Sequence, residues 1–183
     1  MVRLILSIAI ITCLLVGCAA VMNQLSGRGI ISHQKSETDD SEFVEVSGNN
    51  VLSNAGMSSF GGAMLGGRWE SITPDIVYIT VSYASSANGE PIVIEFDELR
   101  INVNGSISKF KPAAPGIISM RLAYLQGMLA ADQCTVQLIR GTDVTEGDFT
   151  IDSDGGRRTA KADLQRFYDR VRATKADRLA KQI

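Results

Sequence analysis

The chain has 183 residues, 18 Lys and Arg against 20 Asp and Glu for a formal net charge of −2, and 45% hydrophobic content. These values belong to an ordinary globular chain of one domain. A single histidine, His33, excludes Ser-His-Asp catalysis elsewhere in the chain and leaves no plausible zinc ligand set.

Charge is unevenly spread. Residues 18–156 hold 8 Lys/Arg against 17 Asp/Glu, whereas 157–183 hold 9 against 3. An acidic body therefore carries a basic tail. At the other end, one charge, Arg3, precedes an uncharged run from Leu4 to Met22. That run is long enough to span a membrane, but nothing positive follows it until Arg28 and no Trp or Tyr marks an interface. A charged start, an apolar core and small residues near a cut site fit an export signal better. It ends in Leu15-Val16-Gly17-Cys18. This quartet resembles the lipobox of bacterial lipoproteins. The resemblance implies cleavage before Cys18, recognition through Leu15, Val16 and Gly17, and acylation of Cys18, palmitate included. It also implies a lipid-anchored envelope protein. With Ala19 next, it would sit on the periplasmic face of the outer membrane in a Gram-negative cell. Residues 1–17 are then a signal peptide, and Cys134 is the one thiol left. Lying in an apolar run, Cys134 reads as a small buried hydrophobe.

Residues 18–41 are polar, small and aperiodic, and read as a flexible tether to a single domain over 42–183. Its first strand is expected at Glu42–Ser47, with Phe43 and Val44 or Val46 facing inward. The glycine-rich stretch 48–67 reads as a long loop. From Asp75 an apolar alternation through Val77, Ile79, Val81 and Tyr83 predicts a strand. Ile92, Ile94 and Phe96 follow on one parity, and Leu99, Ile101 and Val103 on the other. A bulge near Asp97-Glu98 would restore one inward face. Asn104-Gly105 predicts a tight hairpin that sets Phe110 opposite Leu99 and completes an antiparallel meander.

Between Ile118 and Asp132 the strand and helix periods compete. Composition favours a helix capped by Ser119. Cys134–Arg140 reads as a strand and Asp148–Asp152 as a short one. Leu164, Phe167, Tyr168 and Val171 make the apolar stripe of a helix over about 159–181. Beyond Val171 the stripe thins, so that half is expected to be solvated or to await a partner. Its Arg172, Lys175, Arg178 and Lys181 are candidates for contact with an anionic surface, the alternative being that they dock on the acidic body. An exported protein meets little nucleic acid, so that partner is not expected.

Asp148, Asp152 and Asp154, ahead of Gly155-Gly156, are weak candidates for calcium, but the EF-hand spacing fails and no metal or other cofactor is expected. Asp97 and Glu98 could pair for acid–base work, although neighbours on a strand point to opposite faces. The expected fold is α+β, an antiparallel sheet with a bulged central meander packed on a C-terminal helix. A β-sandwich with an appended helix is the alternative. The expected function is a non-enzymatic binding or scaffolding lipoprotein with an envelope protein partner. A small-ligand or calcium-binding periplasmic module and a carboxylate-dependent hydrolase are the alternatives.

Overall fold

Asn104 and Gly105 both take positive φ, 49° and 88°, the requirement of a two-residue hairpin turn whose twist matches its strands. They join strands β6 (Glu98–Val103) and β7 (Ser106–Phe110), and Leu99 stands opposite Phe110 as expected. On its other side β6 pairs with β9 (Cys134–Arg140), and β9 with β10 (Asp143–Asp148). Leu99, Ile101, Cys134, Val136 and Leu138 are all buried on one face, while Arg100, Asn102 and Gln137 occupy the other parity. This alternation is why the four-stranded sheet, ordered β10-β9-β6-β7, forms in register.

The computed structural model describes residues 28–52, 62–83, 91–154 and 157–181. Its larger sheet contains β1 (Ile31–Lys35), β2 (Glu42–Asn50), β3 (Ala63–Glu70) and β4 (Ile76–Tyr83), side by side and antiparallel. Two strands share the far edge of β4 end to end. β5 (Ile92–Val93) pairs with Ser82 and Tyr83, and β8 (Ile117–Arg121) with Ile76 to Thr80. Helix α1 (Leu122–Ala130) follows β8 directly. The two-residue strands β11 (Ser153–Asp154) and β12 (Arg157–Arg158) lead into α2, Ala160–Ala180. The class is α+β, with open antiparallel sheets and a C-terminal helix. The inner faces of both sheets, α1 and α2 contribute to one continuous core.

Several local expectations are corrected. The stretch read as tether contains β1, so the folded body starts before residue 42. β1 is held by its backbone ladder to β2, Ile31↔Val46 to Lys35↔Glu42, and an edge strand of this kind needs no apolar period. Within β2, Val44 and Val46 face the core, whereas Phe43 turns outward beneath Arg68, 5.1 Å from its ring.

The parity flip at Asp97-Glu98 marks a passage between sheets, not a bulge. Ile94 and Phe96 are buried on the way, and the Asp97 N–H already bonds Ile139 of the second sheet. The three-stranded meander expected from its bulged middle strand is divided accordingly, with β4 in one sheet and β6 and β7 in the other. A register shift does occur in the larger sheet, between Val46 and Asn49. It sets Asn49 opposite Leu65, on the core side.

Residues 48–67 are not one loop. Gly48 lies in β2, and Gly66 and Gly67 in β3. A Cβ on Gly66 would come within 2.6 Å of the Val46 carbonyl, and one on Gly67 within 3.1 Å of Leu164 and Phe167. The glycines let strands and helix approach closely, a use of glycine that composition alone reads as loop. The competing periods after Ile118 are both real, one after the other. Ile118 and Met120 face the core from a strand, Leu125 and Leu129 from a helix. Ser119 pairs with Tyr78 and is no cap. β10 ends at Asp148, so no strand covers Asp148–Asp152.

The stripe on α2 is buried as expected, with Leu164, Phe167 and Val171 at 1% exposure or less. Each such side chain contributes about 1.5–3 kcal/mol on leaving water. The second half of α2 is docked as well. Thr174 is buried, and Lys175 and Arg178 bond the body.

Candidate functional site

The first turn of α2 carries the most heavily buried charge among the described residues. Asp163 is 1% exposed, and its Oδ1 accepts from Arg158 Nε at 2.7 Å and Arg166 Nη1 at 3.2 Å. Its Oδ2 accepts from Asn49 Nδ2 at 2.6 Å, whose other bond is to the Arg158 carbonyl. A buried carboxylate needs this degree of satisfaction, since an unpaired one costs several kcal/mol. Gly29 lies directly against it. With φ at +63°, a Cβ there would fall 1.9 Å from Asp163 Oδ2, so only glycine fits. Arg166 Nη1 also reaches the Gly29 carbonyl at 3.4 Å. The shifted register of β2, the first turn of α2 and the entry to β1 thus meet at one clasp.

One turn on, His33 of β1 is held on both sides. Arg170 Nη2 lies 3.1 Å from Nδ1, and Glu42 Oε2 lies 2.8 Å from Nε2. A guanidinium can only donate, so Nδ1 accepts and Nε2–H donates to the carboxylate, which makes the imidazole neutral. With both nitrogens engaged, His33 is placed to link strands and helix, not to serve as a free base. Burial works against ionisation of Glu42, but the hydrogen bond from His33 and the charges of Arg178 and Lys181 outweigh it and hold its carboxyl below the usual range. Ile31, His33, Arg166, Asp169 and Arg170 line an open groove of about 630 Å³ between β1 and α2.

A second concavity, about 530 Å³, opens where the chain passes between sheets. Glu95, Asp97, Arg140, Phe96 and the 112–116 loop line it. Asp97 Oδ2 accepts from the Gly141 N–H at 2.6 Å, and Arg140 Nη1 donates to the Tyr83 hydroxyl at 2.6 Å. Glu98 is turned away to Arg100, at 2.5 Å, so Asp97 and Glu98 do not form an acid–base pair.

The remaining residues singled out from sequence are dispersed. Leu15, Val16, Gly17 and Cys18 lie outside the described residues. Asp148 accepts from the Thr150 N–H at 2.7 Å, and Asp152 pairs with Lys161 at 3.4 Å. The Asp154 side chain is outside the described set. Among the described residues no three His, Cys, Asp or Glu converge as metal ligands, and no helix is long and apolar enough to cross a membrane. Cys134 is 1% exposed, and burial pushes its thiol up to about 12.

Of the four tail cations, two are taken up by the body. Lys175 Nζ donates to the Pro74 carbonyl and Asp75 Oδ1, each at 3.0 Å. Arg178 Nη1 bonds the Asp40 carbonyl at 2.9 Å and lies 3.5 Å from Glu42. Arg172 stacks over Tyr168 at 5.9 Å, and Lys181 is exposed beside Lys35, Asp40 and Glu42. Arg166, Arg170, Asn49 and Gly29 are not among the residues that the sequence singles out. The i, i+3 spacing of Asp163 and Arg166 on a helix is the signal that could have found that pair, and Asn49 carries none, because a register shift brings it there. No family model, curated protein or solved structure matches this chain.

Proposed function

We propose that this protein is a lipid-anchored envelope lipoprotein, whose α+β domain serves as a binding or scaffolding component for another envelope protein without chemistry of its own. The observation that carries this reading is Leu15-Val16-Gly17-Cys18 at the end of an uncharged run. Acylation at Cys18 with more than one chain would give stable attachment, where a single chain holds only marginally. In a Gram-negative cell the residue after it, Ala19, favours the periplasmic face of the outer membrane. Gly29, the first clasped residue, follows Cys18 by 11 positions. At the extended reach per residue, the domain then stays within about 40 Å of the bilayer.

The test is Cys18→Ala in an exporting host. The expected result is loss of acyl labelling and retention of the 17-residue leader. Normal processing and release of soluble protein would overturn the anchor.

A second reading is favoured by the cleft between the sheets. Asp97 and Glu95 with Arg140 offer acceptors for an amine and a donor fork for a carboxylate, so a small zwitterion suits it better than a simple cation. Titration with free amino acids, followed by amide shifts of Phe96 and Gly141, would show saturable movement if this cleft binds such ligands.

A further inference from the structure

We infer that the groove between β1 and the first half of α2 is a docking surface for anionic phospholipid headgroups, and that it sets how the domain lies on its bilayer. The orientation rests on the lipid-anchor reading; the chemistry of the groove does not.

Helix α2 runs alongside β1 in the same direction. Arg166 reaches Gly29, Arg170 reaches His33, and Arg178 reaches Asp40. The point where the chain enters the fold therefore lies at the same end as Arg166 and Arg170. If Cys18 is in the bilayer, this end is the one that the covalent link keeps near it.

The two arginines are positioned before any ligand arrives. Arg166 uses Nη1 for both Asp163 and the Gly29 carbonyl, and Arg170 uses Nη2 for neutral His33. A guanidinium carries five donors, so each fork keeps others for phosphate oxygens, which suit its bidentate geometry. Holding each guanidinium from its inner side lowers the side-chain ordering cost of binding. The Asp163 charge is shared with Arg158. That leaves Asp169 as the groove's carboxylate, and it accepts from Gln165 at 3.0 Å. Two guanidinium groups against one exposed carboxylate give the groove net positive charge. Ile30, the chain neighbour of the groove's Ile31, is 46% exposed and offers apolar surface at this end of β1. The cations further along α2 are differently placed, since Lys175 and Arg178 are spent on Asp75, Asp40 and Glu42. The anionic contact that the sequence assigned to the tail thus moves to the first half of the helix.

The experiment is co-sedimentation of the leaderless chain from residue 18, carrying Cys18→Ser, with vesicles of phosphatidylcholine alone or with one third phosphatidylglycerol. Every element named above lies within residues 28–181, so leader removal takes none of them away. Binding is expected only with phosphatidylglycerol, and it should fall as salt rises. Arg170→Gln should weaken it about fivefold, the effect of one cation at an anionic surface. Asp169→Asn should strengthen it. Arg172→Gln, on the Tyr168 side, should change it little. Arg166 is left intact because it also satisfies the buried Asp163.

Equal binding to both vesicles, or an Arg170→Gln chain that binds like the parent, would overturn the inference. So would displacement by millimolar inorganic phosphate, which would make this a site for the free ion. If phosphatidylglycerol binding holds while Cys18→Ala is processed normally, the anchor reading falls and the groove stands. If Cys18 is acylated and vesicle binding is absent, only the groove falls.

Discussion

The two sheets reach the same core with one difference between them. In the four-stranded sheet, Leu99, Ile101, Val136 and Leu138 fill the inner face with side chains. In the larger sheet, Gly66 and Gly67 remove them where β2 and α2 come close, and a charged clasp around Asp163 fastens the helix. The first sheet is specified by alternation, which is local. The second relies as well on complementarity between elements, from 20 residues apart at Gly66 to more than 90 at Gly67 and Asp163. It should therefore be damaged as readily by adding atoms as by removing them.

The largest effect is expected at the helix–sheet contact. Phe167→Ala deletes a ring at 0% exposure and should cost about 3–5 kcal/mol in urea unfolding. Adding Gly67→Ala to that variant should recover part of the loss, because its methyl enters the space beside the missing ring. A double-mutant cycle with no coupling would mean that glycine and ring are independent. Gly66→Ala should come next, at about 1–3 kcal/mol, as its Cβ would meet the Val46 carbonyl, which cannot swing aside.

The contrasting change in the smaller sheet is Gly105→Val. Nothing lies within 4 Å of a Cβ there, so only the positive φ opposes it, at about 1 kcal/mol. A cost at Gly105 equal to that at Gly66 would erase the distinction between the sheets.

The smallest effect concerns the polar seam. Glu42 has a folded pKa below its ordinary 4.5. Its contribution is complete above that value and is withdrawn as pH falls through the lowered one. Glu42→Gln should therefore cost under about 1 kcal/mol near neutrality. It should also flatten the decline of melting temperature with acid. An unchanged acid limb would show that Glu42 and His33 contribute nothing net.

This contrast also explains which parts of the fold were legible. The β6–β7 hairpin, its register, β9 over Cys134–Arg140 and the stripe on α2 could each be read from residues a few positions apart. So could the burial of Cys134. These depend on turn dihedrals and periodicity, which neighbouring residues largely determine.

The chain's own residues also determined its charge asymmetry, its α+β class and the Leu15-Val16-Gly17-Cys18 quartet. Tertiary structure decided the rest. It made the parity flip at Asp97 a passage between sheets, because two separate faces needed filling. It turned Gly66 and Gly67 from apparent loop into strand, because β2 passes close against the first and the helix rests on the second. It brought Gly29, His33 and Asn49 to Asp163 and Arg170 over separations of more than 110 residues, where no local period carries a signal. A buried carboxylate takes whatever donors the fold brings within 3 Å, and which ones those are is a property of the assembled core.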